Sequence, residues 1–399
     1  MNADGARSTG TLTEAPAWPP EPEELARLAG LVRASFAEIA PRLDAVISRF
    51  YAVLCTSAPG VREMFPINME SQRDRFARVL IYLVGALERP RELTEFLSQL
   101  GRDHRKFDVT EEQFPLFGQA LLSALAGAAG DGWTPEVADA WSRVYTYAAD
   151  TMIAAARADT GPAAWHGEVV EHERLDSDVA LVRVRTDPSL RCRPGQYLSV
   201  EVPQRPRTWR SYTPTAAEQP DGVLELMVKA VGYAGVSRAI VSATRPGDVW
   251  RLGPPLGRLP GRIDPARNLV MIGGGTGVTP VQALLRGMET TAEHTGVTPA
   301  GVTVYYGARR WEELHALDAL RIASFRNRWL DVLPVVREQP DEAGPEVGTL
   351  ADVVVRHGRT EGADVVVSGS PAMIRATVRA LLSVGVGLGR IHYDPFVDD

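Results

Sequence analysis

The stretch NLVMIGGGTGVTP, residues 268–280, limits the possible folds more than any other part of the chain. An apolar, β-rich run at residues 269–272 leads directly into glycines, a threonine and a proline. This order is typical of a buried parallel strand, a loop and the start of a helix, where glycines let backbone N–H groups approach an anion such as a dinucleotide. The spacing departs from the G-x-G-x-x-G template, because Val278 or Pro280 stands where the third glycine belongs. Taken alone, the loop is equally compatible with an ordinary glycine turn.

Composition and charge exclude several classes of protein. The 399 residues are 45% hydrophobic and 23% charged, an ordinary globular composition with room for two or three hydrophobic cores. A net charge of −7 without basic blocks argues against a surface for nucleic acid or anionic lipid. The longest apolar run, residues 79–87, is too short for a transmembrane segment, and the N-terminus lacks the layout of a signal peptide. Cys55 and Cys192 are too few for a disulfide framework or a zinc cluster, so we expect a protein of the reducing cytoplasm.

The first 158 residues combine a polar lead with a helical region. Residues 1–22 are polar and end proline-rich, which predicts a disordered lead. From residue 23 to residue 158 the apolar side chains recur at helical spacing, which predicts an all-α domain. Thr110 with Gln113 predicts a capping box, and Thr134 followed by a proline predicts a second helix start.

Three polar side chains share apolar helix faces in this region. His104 continues a face of leucines spaced at helical intervals, and Tyr51 and Gln72 lie on apolar faces of two earlier helices. An unpaired polar group on such a face costs about 1–3 kcal/mol, so each side chain should have a partner or a ligand. From spacing alone, a satisfied core or surface histidine is the more frequent interpretation of His104. A core tyrosine and a capped glutamine are about as frequent as ligand-binding roles for Tyr51 and Gln72.

The second part of the chain changes its pattern twice. Residues 162–262 alternate apolar with polar side chains between Pro-Gly turns, which predicts a small antiparallel β-barrel. Residues 263–399 alternate strand and helix patterns, which predicts a doubly wound parallel α/β domain. The predicted fold is therefore multidomain: all-α, then antiparallel β-barrel, then α/β.

Five motifs occur in order through these two predicted domains: RSYTPT, GYAGVSR, GGGTGVTP, SGSPAMI and HYDPF. With this order and spacing the region resembles the ferredoxin–NADP reductase family of flavin modules. The resemblance implies an FAD-binding barrel followed by an NAD(P)-binding domain. In that family the arginine at the position of Arg210 pairs with the FAD pyrophosphate, Tyr212 lies against the flavin ring, and Thr213 hydrogen-bonds flavin N5. Phe396 would cover the other flavin face until nicotinamide displaces it.

The resemblance assigns cofactor contacts residue by residue. The FAD-binding residues that it implies are Arg210, Ser211, Tyr212, Thr213, Gly235, Val236, Ser237 and Phe396. The nicotinamide-binding residues that it implies are Gly273, Gly274, Gly275, Thr276, Gly277, Thr279, Ser368, Gly369 and Met373. Ser368 stands where the family often has cysteine, a departure expected to weaken hydride transfer without removing it. Arg309 and Arg310 follow the second strand, where a 2′-phosphate would bind, but exposed arginines there are common; NADH is slightly favoured and NADPH stays open.

An all-α domain ahead of such a module is the arrangement of the flavohaemoglobins, which residues 23–399 resemble. RFYAVL aligns Tyr51 with the distal tyrosine, REMFPIN aligns Phe65 with the phenylalanine that packs on haem, and SQRDRF aligns Gln72 with the distal glutamine. DHRKFDVTEEQF places His104 at the proximal iron ligand. The resemblance therefore implies a globin domain at residues 23–158 with haem b, in which Tyr51, Gln72 and His104 are the catalytic residues.

Several residues depart from the flavohaemoglobin pattern. In that family a tyrosine ten residues past the proximal histidine and a glutamate near the end of the last globin helix hydrogen-bond with the histidine. Here Phe114 takes the place of the tyrosine, and residues 154–158 contain no glutamate. Such partners orient a ligand histidine and raise its basicity, so their loss should change the iron potential and the reaction with oxygen. Phe76, on the distal side of the predicted haem pocket, replaces a smaller residue of the family and should narrow the pocket.

The leading hypothesis for function is a flavohaemoprotein oxidoreductase that passes electrons from NAD(P)H through FAD to haem and acts as a nitric oxide dioxygenase. Its partners are then small molecules: O2, NO and NAD(P)H. The departures around His104 keep a second hypothesis open, a haem and flavin NAD(P)H oxidoreductase for another small acceptor. A third is a globin-like sensor domain attached to a flavin reductase.

Overall fold

The structure is a computed structural model of the 399-residue chain. It describes residues 20–187, 190–216, 222–257, 259, 263–264, 266–338 and 346–393. Residues 1–22 are the predicted disordered lead. Residues 1–19 of it are outside the described part of the chain, and Pro22 is the first residue of the first helix. The chain forms two compact units: Met1–His104 with Val109–Asp159, and Arg105–Asp108 with Thr160–Asp399.

The first unit is helical, as the sequence predicts. Its helices are α1 (Pro22–Ile39), α2 (Leu43–Ser57), α3 (Glu70–Ala86), α4 (Pro90–His104), α5 (Gln113–Ala129) and α6 (Pro135–Ala158). One hydrophobic cluster joins all six helices. Gly101 lets α4 lie directly against α6, because a Cβ at this position would lie 2.2 Å from the carbonyl oxygen of Met152. This close packing fixes the last turn of α4, which ends at His104.

The two predicted helix starts have different outcomes. Thr134 caps α6 by accepting a hydrogen bond from Val137 N at 3.3 Å, with proline at the first helical position, so this start is confirmed. The Thr110 N–H donates to Gln113 Oε1 at 3.0 Å, which is one half of the predicted capping box. However, α5 begins only at Gln113, because the chain at Thr110 first forms a turn closed by Gln113 N and Thr110 O at 3.1 Å.

The second unit begins with an antiparallel β-barrel. Its strands are β1 (Trp165–Arg174), β2 (Val179–Thr186), β3 (Leu198–Glu201), β4 (Arg210–Tyr212), β5 (Val223–Lys229) and β6 (Val249–Leu252), with α7 (Val236–Ala243) between the last two. They form a sheet in the order β4-β3-β6-β1-β2-β5. Thr215, just past β4, donates its N–H to Glu225 O of β5 at 2.9 Å, which brings the two edges together and nearly closes the barrel.

The second unit continues with a parallel α/β sheet, as predicted. Its strands are β7 (Asn268–Gly274), β8 (Gly301–Ala308), β9 (Leu330–Val336), β10 (Glu346–Val347), β11 (Asp364–Ser368) and β12 (Ile391–His392), and its helices are α8 (Thr279–Thr295), α9 (Leu317–Arg326), α10 (Leu350–His357) and α11 (Pro371–Ser383). The strand order is β10-β9-β8-β7-β11-β12, with every neighbouring pair parallel. Consecutive residues Tyr305 and Tyr306 belong to separate hydrophobic clusters, so the sheet is covered on both faces.

No helix within the described parts of the chain is both long enough and apolar enough to cross a membrane.

Candidate functional sites

Tyr51 on α2 and Gln72 on α3 form a hydrogen-bonded pair in the helical unit. Gln72 Nε2 donates to the Tyr51 hydroxyl at 3.3 Å, and Tyr51 is 8% exposed. Burial raises the pKa of Tyr51 to about 12, so the phenol keeps its proton at pH 7. Because its oxygen accepts the amide N–H, its own O–H is oriented to donate elsewhere. The pair therefore presents a neutral hydrogen-bond donor at this position.

Aromatic rings surround this pair. The Phe65 ring lies edge-on to Tyr51 with centroids 5.2 Å apart, and the Phe76 ring lies 6.1 Å from Tyr51. Phe50 contacts both Phe76, at 4.7 Å, and Phe117, at 4.6 Å between centroids. Such a cluster offers flat apolar faces beside the buried Tyr51 hydroxyl, which suits an aromatic macrocycle with one polar donor.

His104 is the last residue of α4 and is half-buried. Its Nδ1 lies 2.7 Å from the carbonyl oxygen of Leu100, one helical turn earlier. A carbonyl only accepts, so Nδ1 carries the proton and Nε2 carries the lone pair. This is the tautomer in which an imidazole ligates iron, with the backbone carbonyl fixing the ring orientation. Together with the aromatic cluster and the Tyr51–Gln72 pair, this tautomer fits a haem.

The tyrosine that hydrogen-bonds the proximal histidine in the flavohaemoglobin pattern is replaced here by Phe114, and the structure shows what Phe114 contacts instead. Phe114, in the first turn of α5, has no side-chain donor. Its carbonyl oxygen instead accepts the hydroxyl of Tyr145 on α6 at 2.5 Å. Burial raises the pKa of the Tyr145 phenol, and its ring is stacked on Phe117 with centroids 6.4 Å apart. A phenol in this region is thus bonded to the α5 backbone, a contact that the sequence does not predict.

The predicted flavin residues lie on and beside β4 of the barrel. In the register with β3, Tyr212 pairs with Leu198, Ser211 with Ser199 and Arg210 with Val200. Successive side chains of a strand point to opposite faces, so Arg210 and Tyr212 share one face while Ser211 faces the other. All three residues are half-buried, as is Thr213. This strand therefore presents the arginine and the tyrosine of the flavin motif on a common side.

The second predicted flavin segment is the start of α7. Gly235 has φ +124°, a conformation that L side chains rarely adopt, and a Cβ here would meet no atom within 4 Å. The backbone is therefore open in front of Val236 and Ser237, which begin the helix. Ser237 Oγ accepts the N–H of Val231 at 3.1 Å, which fixes the loop and leaves the hydroxyl proton to donate. An open helix start with oriented N–H and O–H groups suits a phosphate.

A buried cation supports the other face of β3 and β4. Lys106 is 4% exposed, and its Nζ donates to Ser199 Oγ at 2.7 Å and lies 4.9 Å from the ring centroids of Phe107 and Trp209. Arg251 donates to the Lys106 carbonyl at 2.9 Å and lies over Trp209. The sequence did not predict this cluster. Its one available signal was that Lys106 is one of two lysines among 43 basic residues.

The glycine loop after β7 contacts the loop after β11. A Cβ at Gly277 would lie 2.4 Å from the Cα of Gly369, so the two backbones touch and only glycine fits. Met373 lies against both Gly274 and Gly369, because a Cβ added at either glycine would have Met373 Sδ and Cε within 3.3 Å. Gly275 has φ +56° and no atom within 4 Å of a Cβ, so the loop is open at that point.

The remaining predicted nicotinamide residues have different environments. Thr279 is 4% exposed and donates to Thr276 O at 3.2 Å, which closes the turn into α8. Gly273 is buried at the end of β7, and Ser368 is the half-buried last residue of β11, directly across from it in the parallel ladder. Phe396 lies outside the described residues. The structure therefore brings the glycine loop, Ser368 and Met373 together at the carboxyl ends of β7 and β11, the crevice where doubly wound sheets bind ligands.

Comparisons with known proteins match three successive parts of the chain. Residues 48–152 match the globin family, residues 166–260 the oxidoreductase FAD-binding domain, and residues 271–379 the oxidoreductase NAD-binding domain. A flavohemoprotein of Deinococcus radiodurans is 28% identical over 82% of this chain and 83% of its own length. A ferredoxin–NAD(P)+ reductase of Metapseudomonas resinovorans is 30% identical over 57% of this chain and 68% of its own.

The same arrangement occurs in a solved structure. A flavohemoglobin from Malassezia yamatoensis, crystallised with FAD and heme, has a TM-score of 0.76 over 92% of this chain and 98% of its own, at 21% identity. At this identity the likeness shows the fold. The domain matches, their order and the full-length relatives together show that the chain belongs to the flavohaemoglobin family and is a flavohaemoprotein oxidoreductase.

Proposed function

We propose that this protein is a nitric oxide dioxygenase that uses NAD(P)H to convert NO and O2 to nitrate. When bound, FAD accepts the two electrons of a hydride and releases them singly to haem, which supplies the iron for the oxygen chemistry. The overall reaction balances: one hydride supplies two electrons, and each electron allows one NO and one O2 to become one nitrate. One NAD(P)H therefore supports two nitrates.

The observation that carries this proposal is the hydrogen-bonded pair of buried Tyr51 and half-buried Gln72 in the same unit as His104. His104 would hold the iron through Nε2, because its Nδ1 is bonded to Leu100 O. Tyr51 would donate its hydroxyl proton to oxygen, and Gln72 holds that hydroxyl in place through its amide. Because the pKa of Tyr51 is raised to about 12, the donor stays neutral and protonated at pH 7, so it stabilises negative charge on oxygen without introducing a competing anion.

The predicted residues of the second unit would bind FAD and the nicotinamide cofactor and orient their rings. Arg210 and the start of α7 would hold the FAD phosphates, and Tyr212 and Thr213 would orient the flavin ring. The glycine loop would hold the nicotinamide cofactor's pyrophosphate, and its backbone contact with Gly369 would fix the position of that loop beside Ser368 and Met373.

The experiment that tests this function compares purified wild type with His104→Ala. Spectra are taken before and after anaerobic NADH, and NO consumption is then followed with and without O2. We expect a Soret band in wild type alone, flavin bleaching in both, and O2-dependent NO consumption only in wild type. If wild type shows a Soret band but consumes NO no faster than free flavin does, the dioxygenase proposal is wrong.

A second candidate is favoured by one specific observation, the replacement of the proximal hydrogen-bond partners. Phe114 has no donor, and the nearby phenol of Tyr145 is bonded to the Phe114 carbonyl. A less basic proximal histidine raises the iron potential, which makes ferrous haem a weaker reductant of bound oxygen. The electrons of NAD(P)H would then go to another small acceptor instead. NADH oxidation that is insensitive to NO and accelerated by a different acceptor would support this candidate. A globin acting only as a sensor would instead tolerate His104→Ala while losing function on deletion of residues 1–160.

A further inference from the structure

The carboxyl ends of three neighbouring strands define where the adenosine end of a dinucleotide lies. Gly274, at the start of the glycine loop, pairs with Gly307 of β8, and Ala308 at the end of β8 pairs with Val336 at the end of β9. In βαβ dinucleotide domains the pyrophosphate lies at the glycine loop, and side chains beyond the second strand contact the 2′ position of the adenosine ribose. Here the second strand is β8, so Arg309 and its neighbours occupy that position.

Arg309 is paired with a carboxylate from the next strand. Its Nε donates to Glu338 Oε1 at 2.5 Å. The backbone holds the two residues together, because the Glu338 N–H donates to Arg309 O at 3.0 Å and the Arg337 N–H donates to the same oxygen at 3.1 Å. The carboxylate of Glu338 is therefore fixed beside Arg309 by the main chain as well as by its charge.

The second arginine is also matched by a carboxylate. Arg310 Nε donates to Glu313 Oε1 at 3.1 Å, and the other oxygen of Glu313 lies 3.9 Å from Lys229 Nζ of the barrel. Arg309 and Arg310 therefore each have an acidic neighbour, so the Arg309–Glu338 and Arg310–Glu313 pairs add no net charge to this edge of the sheet.

We propose that Glu338 makes the reductase selective for NADH by occupying Arg309 and by repelling a 2′-phosphate. The 2′-hydroxyl of NADH is a neutral donor, and a carboxylate accepts it. The 2′-phosphate of NADPH carries about two negative charges at neutral pH and would be placed beside the Glu338 carboxylate. This assignment rests on the nicotinamide part of the proposed function and is independent of the reaction with NO.

The exposure of the pair determines the size of the effect. The side chains of Arg309 and Glu338 are 72% and 46% exposed, so their mutual attraction is weak and screened. The guanidinium of Arg309 is therefore still accessible to a phosphate, but its positive charge is neutralised by Glu338. Removing Glu338 should shift the preference rather than reverse it, and raising the ionic strength should reduce the shift.

The experiment is anaerobic stopped-flow reduction of the bound flavin by NADH or NADPH, in the full-length protein. We expect wild type to prefer NADH. Glu338→Gln should raise the efficiency with NADPH about tenfold, which corresponds to about 1.4 kcal/mol, and leave that with NADH within about a factor of two. Adding Arg309→Gln to Glu338→Gln should remove the gain, because the freed guanidinium is what binds the phosphate.

The matched control is Glu346→Gln, which removes the same charge from a half-buried carboxylate of this domain that is paired with Arg356 at 2.5 Å. If it raises NADPH efficiency as much as Glu338→Gln does, overall charge explains the effect and the proposal is wrong. Equal use of both cofactors by wild type would also overturn it. If neither NADH nor NADPH reduces the flavin, both the role of Glu338 and the nicotinamide part of the proposed function are wrong. If only NO turnover is absent, the dioxygenase proposal fails, and a measured preference for NADH still supports the role of Glu338.

Discussion

Replacing Tyr51 with phenylalanine tests the distal hydrogen bond on which the proposed chemistry depends. The substitution keeps the ring and its contacts with Phe65 and Phe76 and removes only the hydroxyl. Gln72 then loses its acceptor, but Gln72 is only half-buried and water can replace it. We therefore expect a folded protein with normal haem content and a specific defect in oxygen binding.

The size of the defect follows from the state of the phenol. With a pKa of about 12, only about one molecule in 10⁵ is ionised at pH 7, so essentially every molecule offers its proton. A hydrogen bond to a charged acceptor contributes about 1.5–3 kcal/mol, so Tyr51→Phe should speed oxygen release from the reduced protein about 10- to 150-fold. Gln72→Leu removes a neutral hydrogen bond, worth about 0.5–1.5 kcal/mol, and should speed release about 2- to 13-fold. Because Gln72 acts through the Tyr51 oxygen, the double variant should lose less than the product of the two.

The assay is stopped-flow measurement of oxygen dissociation, with NO consumption measured in parallel. Tyr82→Phe is the matched control, because Tyr82 lies in the same helix as Gln72 and its hydroxyl is bonded to Glu92 at 2.7 Å. An oxygen release rate in Tyr51→Phe equal to that of wild type or of Tyr82→Phe would refute the role of Tyr51. Full multiplicative effects in the double variant would show that Gln72 contacts oxygen by itself.

Two further predictions concern the second unit. Gly277→Ala should raise the KM for NADH about 5- to 150-fold with unchanged flavin content, because a Cβ would lie 2.4 Å from the Gly369 backbone and overpacking costs about 1–3 kcal/mol. Steady-state kinetics would check this against Gly389→Ala, where a Cβ meets no atom within 4 Å, and equal KM values for the two variants would contradict it. Lys106→Met should destabilise the second unit by about 1–3 kcal/mol by leaving the buried Ser199 hydroxyl without its donor, while adding Ser199→Ala should recover part of that loss. Denaturation followed by flavin fluorescence would measure this, with Lys229→Met as control, and simple additivity of the two substitutions would refute the coupling.

Patterns with a short period were sufficient to predict most of the fold. The helical spacing around His104, the alternation along β2 and β5 and the apolar run before Gly273 each depend on residues a few positions apart, and the structure contains the corresponding helices and strands. The Thr134 cap is equally local and was predicted correctly. The start of α5 was not, because whether Gln113 continues a helix from Thr110 or closes a turn depends on packing, which the local motif does not contain.

Contacts within the candidate sites were predictable where the family resemblance assigns both partners to the same cofactor. The contact of Gly277 with Gly369 joins two motifs that the family resemblance had already assigned to one cofactor. The contacts of Tyr145 and Glu338 were not predicted, because each partner lies in another element. Tyr145 bonds to Phe114, which is 31 residues earlier in the chain, and Glu338 bonds to Arg309, which is 29 residues earlier. Their residue types are ordinary at those positions, so no local pattern marks them.

The segment Arg105–Asp108 shows why the sequence does not reveal unit boundaries either. It lies between α4 and α5 in the chain, yet by its contacts it belongs to the second unit. A lysine ammonium is costly to bury, and here the cost is offset by one hydroxyl and two aromatic rings, of which Ser199 and Trp209 come from the barrel. Burial of Lys106 therefore depends on Ser199 and Trp209, and these two side chains in turn depend on Lys106 as their partner. A reductase module cut at the linker near residue 160 would lack the cation that fills this cluster, so the excised module should be less stable than the same residues in the full chain.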